Sequence, residues 1–279
     1  MLIKAEYSAK KWEDVNLHIE VVLAQKCLSM LDKTVAYTIM ITILATHQHN
    51  HVGAIALTVD LLDQLGVTFR PQLGAIPVVA ALVKTKLLLR KCPLVTLLNQ
   101  AEMQDTRKKI ALDYIVAMNS SMYAANPELL VCTVLKTLRW SLKHGLSKET
   151  SRCVGVFALL EMALGDIKTA TRTAKFAVEL AEKEGLMISE YAPISSVYGF
   201  VLPWTTSLHD CRNKLFEGYV IGKETGDLEY GFMNIVLYCF FSFCSGKPLA
   251  ELENAMRKYG CEMRASNQAL QLQFLCLTW

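Results

Sequence analysis

Three histidines alternate with amides in the run His47-Gln48-His49-Asn50-His51. On a helix, His47 and His51 would share a face four residues apart and could begin a zinc site. A structural zinc takes four ligands and a catalytic one three plus water, and no neighbouring Asp, Glu or Cys completes either set. The run also falls where one apolar helical stretch must turn into the next. It reads as a solvated polar turn, and no metal ligand is assigned.

Phosphate chemistry has one look-alike, Gly218-Tyr219-Val220-Ile221-Gly222-Lys223-Glu224. It is one residue short of a phosphate-binding loop and has Glu224 where magnesium coordination needs a hydroxyl. It lies inside a helical pattern with no strand before it, and helix-terminal glycines account for it better. Nucleophilic catalysis has less support. There is no G-x-S-x-G elbow, no cysteine carries a protease-type surround, and His18, His144 and His209 fall on separate helices or turns. No catalytic, cofactor-binding or metal residue is assigned, and the chain is expected to be neither an enzyme nor a cofactor carrier.

The totals narrow the class. The 279 residues are 52% hydrophobic and 20% charged, with a mean hydropathy of +0.27. That is greasier than an average soluble domain, so either lipid or large protein surfaces must cover the excess. Twenty-nine bases scattered among 26 acids leave a charge of +3. The densest basic cluster, Arg107-Lys108-Lys109, is too short to track a phosphate backbone, so nucleic acid is not an expected partner. Nine cysteines without a C-x-x-C pair, most of them in apolar stretches, read as reduced, buried thiols. With an N-terminus that turns charged at once, a cytoplasmic chain is the expectation.

Helical periodicity runs from end to end. Val52, Ile55, Ala56, Val59, Leu62 and Leu65 make one face of a helix over 51–65. Ile167, Ala170, Ala174, Ala177 and Ala181 make a stripe small enough for close helix contact. Asp105 can cap a helix through Ala124. Asn126-Pro127-Glu128 opens another that ends at Lys143-His144-Gly145, Ser147 can cap the next, and Pro248 restarts one through Lys258. The pattern predicts helices near 11–28, 32–46, 51–65, 75–90, 105–124, 126–144, 147–164, 166–184, 187–201, 207–224, 227–245, 248–258 and 261–279. Sustained apolar–polar alternation is missing, so strands have little support.

Helix-ending turns recur at Gly66, Gly145, Gly185 and Gly226. The last three are almost evenly spaced, and the first gap is about twice theirs. Two helices and their turns fill a unit of about 40 residues, the length of a helical-hairpin repeat. One hairpin cannot bury its apolar face alone, so neighbours stack. The fold class expected is all-α, an α-solenoid of TPR-like antiparallel hairpins. It forms a single region over 1–279, with a possible weak break at 91–104. The apolar ending Phe274-Leu275-Cys276-Leu277-Thr278-Trp279, without a polar capping helix, is the reason to expect a fragment of a larger protein.

A membrane-associated helical protein is the alternative. Tyr230–Gly246 carries no charge, and Thr34–Val59 is a longer uncharged stretch but is broken by the histidine run. A span needs about 20 predominantly apolar residues, and the first stretch is both shorter and interrupted by Asn234, Ser242 and Ser245. Buried helices are therefore preferred, and no membrane partner is expected. Trp140, Trp204, Tyr238 and Phe240 stand at core-like spacing and read as packing residues.

Several segments share an order and spacing with a large signalling family. They are Leu61-Leu62-Asp63-Gln64-Leu65-Gly66-Val67, Leu97-Leu98-Asn99 with Met103-Gln104-Asp105, Tyr123-Ala124-Ala125-Asn126-Pro127-Glu128-Leu129 and Ser141-Leu142-Lys143-His144-Gly145-Leu146-Ser147. Leu164-Gly165-Asp166, Glu224-Thr225-Gly226-Asp227-Leu228-Glu229-Tyr230 and Phe243-Cys244-Ser245-Gly246-Lys247-Pro248-Leu249 continue the series. Over roughly residues 30–260 the chain resembles the TPR-like helical region of multi-domain hybrid and multi-sensor histidine kinases that carry an AAA/STAND-type ATPase module. The resemblance implies a non-catalytic interaction scaffold for signal transduction, lying between ATPase and histidine-kinase modules, with protein partners and no small-molecule substrate. The chain has neither a Walker motif nor a kinase H-box or nucleotide lid, so no catalytic residue carries over. Pro203, in Leu202-Pro203-Trp204, departs from the family pattern.

Overall fold

The computed structural model describes residues 3, 6–7, 12–46, 48–67, 74–147, 149–182 and 194–278. Among them the fold is all-α, with no strand and a single isolated bridge between Glu102 and Leu146. The chain divides into two compact units: Met1–Leu87 with Met103–Thr137, and Leu88–Glu102 with Leu138–Trp279. The segment Leu88–Glu102 overlaps the candidate break at 91–104.

The helices of unit 1 are α1 (Trp12–Ala24), α2 (Thr34–Thr46), α3 (His51–Gln64), most of α4 (Ala75–Lys91), α5 (Thr106–Ala117), α6 (Asn119–Ala125) and the first part of α7 (Pro127–His144). Helix α2 packs on α1, α3 and α5, and α3 also meets α5 and α6. Val15, Ile19, Ala36, Ile39 and Ile43 form one apolar cluster between α1 and α2. The threonines of α2 form a ladder. Thr34, Thr38, Thr42 and Thr46 each donate their hydroxyl to the carbonyl four residues earlier, so a charge-free helix still keeps its polar atoms satisfied.

Sequence signals set most ends. Asp105 accepts from the Lys108 amide, and Asn126 accepts from Leu129 N–H at 3.0 Å. Gly66, Gly145, Gly165, Gly226 and Gly246 all have positive φ after a helix. Gly185 and the start of the expected helix 187–201 lie outside the described residues. Three expectations shift. The helix over 105–124 is broken at Met118, just before the weak helix formers Asn119, Ser120 and Ser121. In α3 the buried stripe is Ala54, Thr58, Leu61 and Leu62, while Val52 of the expected face is exposed. The helix after Gly145 starts at Thr150, because the Thr150 hydroxyl accepts from the Ser147 N–H instead of Ser147 acting as the cap.

Unit 2 holds α8 (Thr150–Ala163), α9 (Ile167–Ala181), α10 (Leu208–Thr225), α11 (Leu228–Cys244), α12 (Leu249–Ala265) and α13 (Ala269–Thr278). A turn of Leu94–Asn99 packs on α9. Its neighbours are tied to the end of α7, by Leu146 N–H to Ala101 O at 2.9 Å and Gln100 Nε2 to Leu142 O at 2.9 Å. Before α10 the chain passes through Ile194–Ser196, a π turn at Val197–Val201 and a 3-10 turn at Leu202–Trp204. Pro203 has no N–H to offer the Gly199 carbonyl and its ring crowds that turn, so the regular ladder cannot pass this point.

Consecutive helices meet closely. The face Ala170, Ala174, Ala177 and Ala181 of α9 is fully enclosed, and α8 packs along α9. Helices α10 and α11 approach at Gly222 and Gly231, where a Cβ on Gly222 would stand 2.6 Å from the Gly231 Cα. Tyr219, Phe232, Ile235, Cys239, Met256 and Met263 form the apolar cluster beyond that crossing. The expected division between helices at 258 and 261 is absent. Gly260 sits within α12, its position for a Cβ 3.7 Å from Leu272 and Leu275, and the break comes at Asn267 with φ 52°. No described helix is long and apolar enough to cross a membrane. The uncharged run Tyr230–Gly246 supplies most of α11, which packs on α10, α12 and α13.

Two glycines therefore predict opposite outcomes. Gly222→Ala drives a Cβ into backbone that cannot yield, and should destabilise by about 1–2 kcal/mol after the helix-propensity gain is subtracted. Gly260→Ala meets only ordinary contacts with side chains and should be neutral or stabilising by up to ~1 kcal/mol. Urea denaturation of both variants checks the pair.

Candidate functional site

The described surface of unit 2 carries an open groove of about 600 Å³. Lys175 and Val178 of α9 line one side, and Asp210, Asn213, Lys214 and Glu217 of α10 line the other. Tyr198 and Leu202, from the π and 3-10 turns, form the base beside Thr206. Residues four and seven apart on α10 face the groove together because they lie one and two turns along the same side. Ser207 fixes the start of that helix by accepting from the Asp210 N–H at 3.1 Å and donating its own hydroxyl to the Asp210 carboxylate at 2.6 Å.

The groove presents both signs of charge over an apolar strip. Lys214 Nζ lies 2.7 Å from Glu217 Oε2, and that hydrogen bond holds the Lys214 ammonium above its ordinary pKa. Burial pushes the Tyr198 phenol up as well. A general base or an amine nucleophile would have to move toward neutrality, and both groups move away from it. The arrangement suits hydrogen bonding to a polar chain. Trp204, which falls in the chain between Leu202 and Thr206 of the lining, is 70% exposed, and Phe200 is also exposed. Core-like spacing failed for Trp204 because Pro203 ends the helical register that would have turned it inward. Phe240, another residue expected in the core, is 43% exposed.

Beneath the surface lies a buried charge centre. Arg152 of α8 is enclosed, with Nη1 3.4 Å from Glu149 Oε2 and Nη2 3.5 Å from Asp227 Oδ2. Its guanidinium carbon stands 4.0 Å from the centre of the Tyr230 ring. Burial opposes its charge, but Glu149, Tyr230 and Asp227 outweigh that and hold its pKa above the usual arginine value. Nε and Nη1 have no hydrogen-bond partner, so attraction between charges, not bond geometry, holds the centre. It ties the start of α8 to the turn between α10 and α11.

A second polar link joins α10 to α12. Tyr219 donates its hydroxyl to Glu262 Oε2 at 2.6 Å, and Lys223 Nζ reaches the same oxygen at 2.9 Å. Partial burial works against the Glu262 carboxylate, yet Tyr219 and Lys223 together hold its pKa below the ordinary value. Lys223, the lysine of the phosphate-loop look-alike, is thus engaged with a carboxylate. Gly218 and Gly222 lie within α10 at its crossing with α11, not at a helix end.

The other sequence candidates are dispersed. His47 lies outside the described residues. His49 sits in a left-handed turn, and His51 Nδ1 lies 3.3 Å from Ser121 Oγ. Among the described residues no group of three or more His, Cys, Asp or Glu could hold a metal. His18 pairs with Glu6 at 2.9 Å, and His209 is exposed beside Asp210. Of the nine cysteines, all free thiols, only Cys153, Cys211 and Cys239 are buried; Cys27, Cys244, Cys261 and Cys276 are exposed. An apolar stretch buries only one side of its helix, so Cys244, Cys261 and Cys276 fall on the outer side, while Cys27 lies in the turn after α1. Burial pushes Cys211 up to about 11 and Cys239 up to about 12, which leaves both protonated. The chain matches no family model, no curated protein and no solved structure.

Two tests follow from the polar links. Arg152→Ala leaves Glu149 and Asp227 without their cation and should lower unfolding free energy by about 3 kcal/mol in chemical denaturation. Arg152→Lys should recover only part, since an ammonium lacks the plane that stacks on Tyr230. Glu262 has a depressed pKa, so its contribution is present above the unfolded-state value near 4.5 and is lost as pH falls through the folded value. Glu262→Gln should cost about 1 kcal/mol at neutral pH, discounted for partial exposure, and should flatten that acid limb in thermal melts at graded pH.

Proposed function

We propose that the chain is a non-catalytic interaction scaffold, a TPR-like α-solenoid built from repeated helical hairpins. Its period is about 40 residues, within the range of such repeats. It would act in the cytoplasm by joining an ATPase module to a histidine-kinase module in signal transduction. The observation that carries the reading is the packing order in unit 2. Helix α8 meets α9 and also the 194–201 segment; Ile194–Ser196 meets α10 and also α11; α11 meets α12 and also α13. Contact with the next helix and the next but one is how stacked hairpins cover each other's apolar faces. Positive-φ glycines recur in two equally spaced pairs, Gly145 with Gly165 and Gly226 with Gly246, at half the expected repeat.

The groove supplies a binding surface for such a scaffold. Paired charges of both signs, an apolar strip and the exposed Trp204 suit recognition of a polypeptide segment, with the indole as an anchor. The resemblance to the linking region of multi-domain histidine kinases supplies the class of partner.

The reading expects the same reading frame to encode an ATPase module before this chain and a kinase module after it. Titration of the chain with those purified modules by calorimetry should saturate. Lys175→Glu combined with Trp204→Ala should weaken association by roughly tenfold. Absence of association with either module, or affinity indifferent to both substitutions, would count against the scaffold.

A further inference from the structure

Helix α4 is apolar on two sides. Its inner side is taken up by the fold, with Thr85 enclosed and Val78, Leu82 and Leu89 half-buried. Its outer side exposes Ile76 by 84%, Val79 by 57%, Val83 by 49% and Leu87 by 51%. At about 100° per residue these four fall within an arc of about 80°, a single aliphatic stripe. Lys84 and Lys86, both exposed, flank it on opposite sides, and Arg90 and Lys91 follow in the last turn. The helix has no acidic residue. Glu128 accepts from the Gly74 N–H at 2.5 Å just before the helix begins, which puts that carboxylate at the end away from the lysines.

We propose that this outward face of α4 lies on an anionic lipid surface, the aliphatic stripe entering the headgroup boundary while Lys84 and Lys86 reach up to lipid phosphates and carboxylates. Charge complementarity selects the occupant. Protein interfaces favour aromatic anchors and are depleted in lysine, whereas this face has no aromatic and is bordered by lysines. Long ammonium side chains beside an aliphatic stripe fit the depth profile of a bilayer interface. A helix of 17 residues with four bases lies along such a surface and does not cross it. Helix α1 provides the contrast. It also exposes two aliphatic residues, Leu17 and Val21, but beside Glu13, Asp14 and Glu20, which an anionic surface would repel.

The test is flotation of the whole chain with phosphatidylcholine vesicles, with and without phosphatidylserine. Binding is expected only when phosphatidylserine is present and should weaken with added salt. Lys84→Glu with Lys86→Glu should lower partitioning by about tenfold or more. Val79→Ser with Val83→Ser should do the same, and Leu17→Ser with Val21→Ser should leave it unchanged. These positions are exposed, so helix content by circular dichroism should stay constant throughout. No binding to the anionic vesicles would overturn the proposal, as would binding that the α4 substitutions leave intact. So would lipid-free self-association of the chain that the α4 substitutions abolish, since that would assign the face to a second copy.

Discussion

Backbone-to-backbone approach of consecutive helices is the constraint on which unit 2 depends. The Gly222–Gly231 crossing leaves no room for a Cβ on α10, and the alanine face of α9 brings α8 nearly as close. Small residues at such a crossing forgo side-chain burial of their own. In return they bring long apolar neighbours, such as Phe232 and Ile235, into contact across the pair. The turns are then fixed: a left-handed glycine ends one helix, and the next begins within a few residues.

Two polar links join helices across more than one turn of the chain. Arg152 links α8 to the turn before α11, and Glu262 links α12 back to α10. Both are pairings of opposite charge with pKa values displaced toward the charged forms. They contribute to holding helices in register, the Arg152 centre enclosed and the Lys223–Glu262 pair partly open to solvent. The open groove follows the same pattern, since Lys214 is committed to Glu217 and Tyr198 is pushed away from ionisation.

Much of this organisation is legible in the residues. Asp105, Asn126 and the glycines at 66, 145 and 226 mark helix ends by chemistry local to a few residues, and they sit where expected. The alanine stripe of α9 is legible because small residues at helical spacing have one geometric use. Features that depend on distant neighbours are not. Val52 and Ala54 are both apolar, and the positions of α2, α5 and α6 decide which side of α3 is buried. Gly260 reads as a terminator until Leu272 and Leu275 are placed beside it. Trp204 has core spacing, but Pro203 changes the backbone beneath it. The pairing of Arg152 with Asp227 joins residues far apart along the chain, and no local pattern announces it. The groove is likewise a product of three separated segments.

Native-state hydrogen exchange of the chain in rising denaturant tests the central claim most directly. If hairpins hide their apolar faces against neighbours in a row, amides of α8–α9 and of α10–α11 should open as separate cooperative units, each at its own free energy. A single global opening, with every protected amide in unit 2 converging on one free energy at all denaturant concentrations, would contradict it.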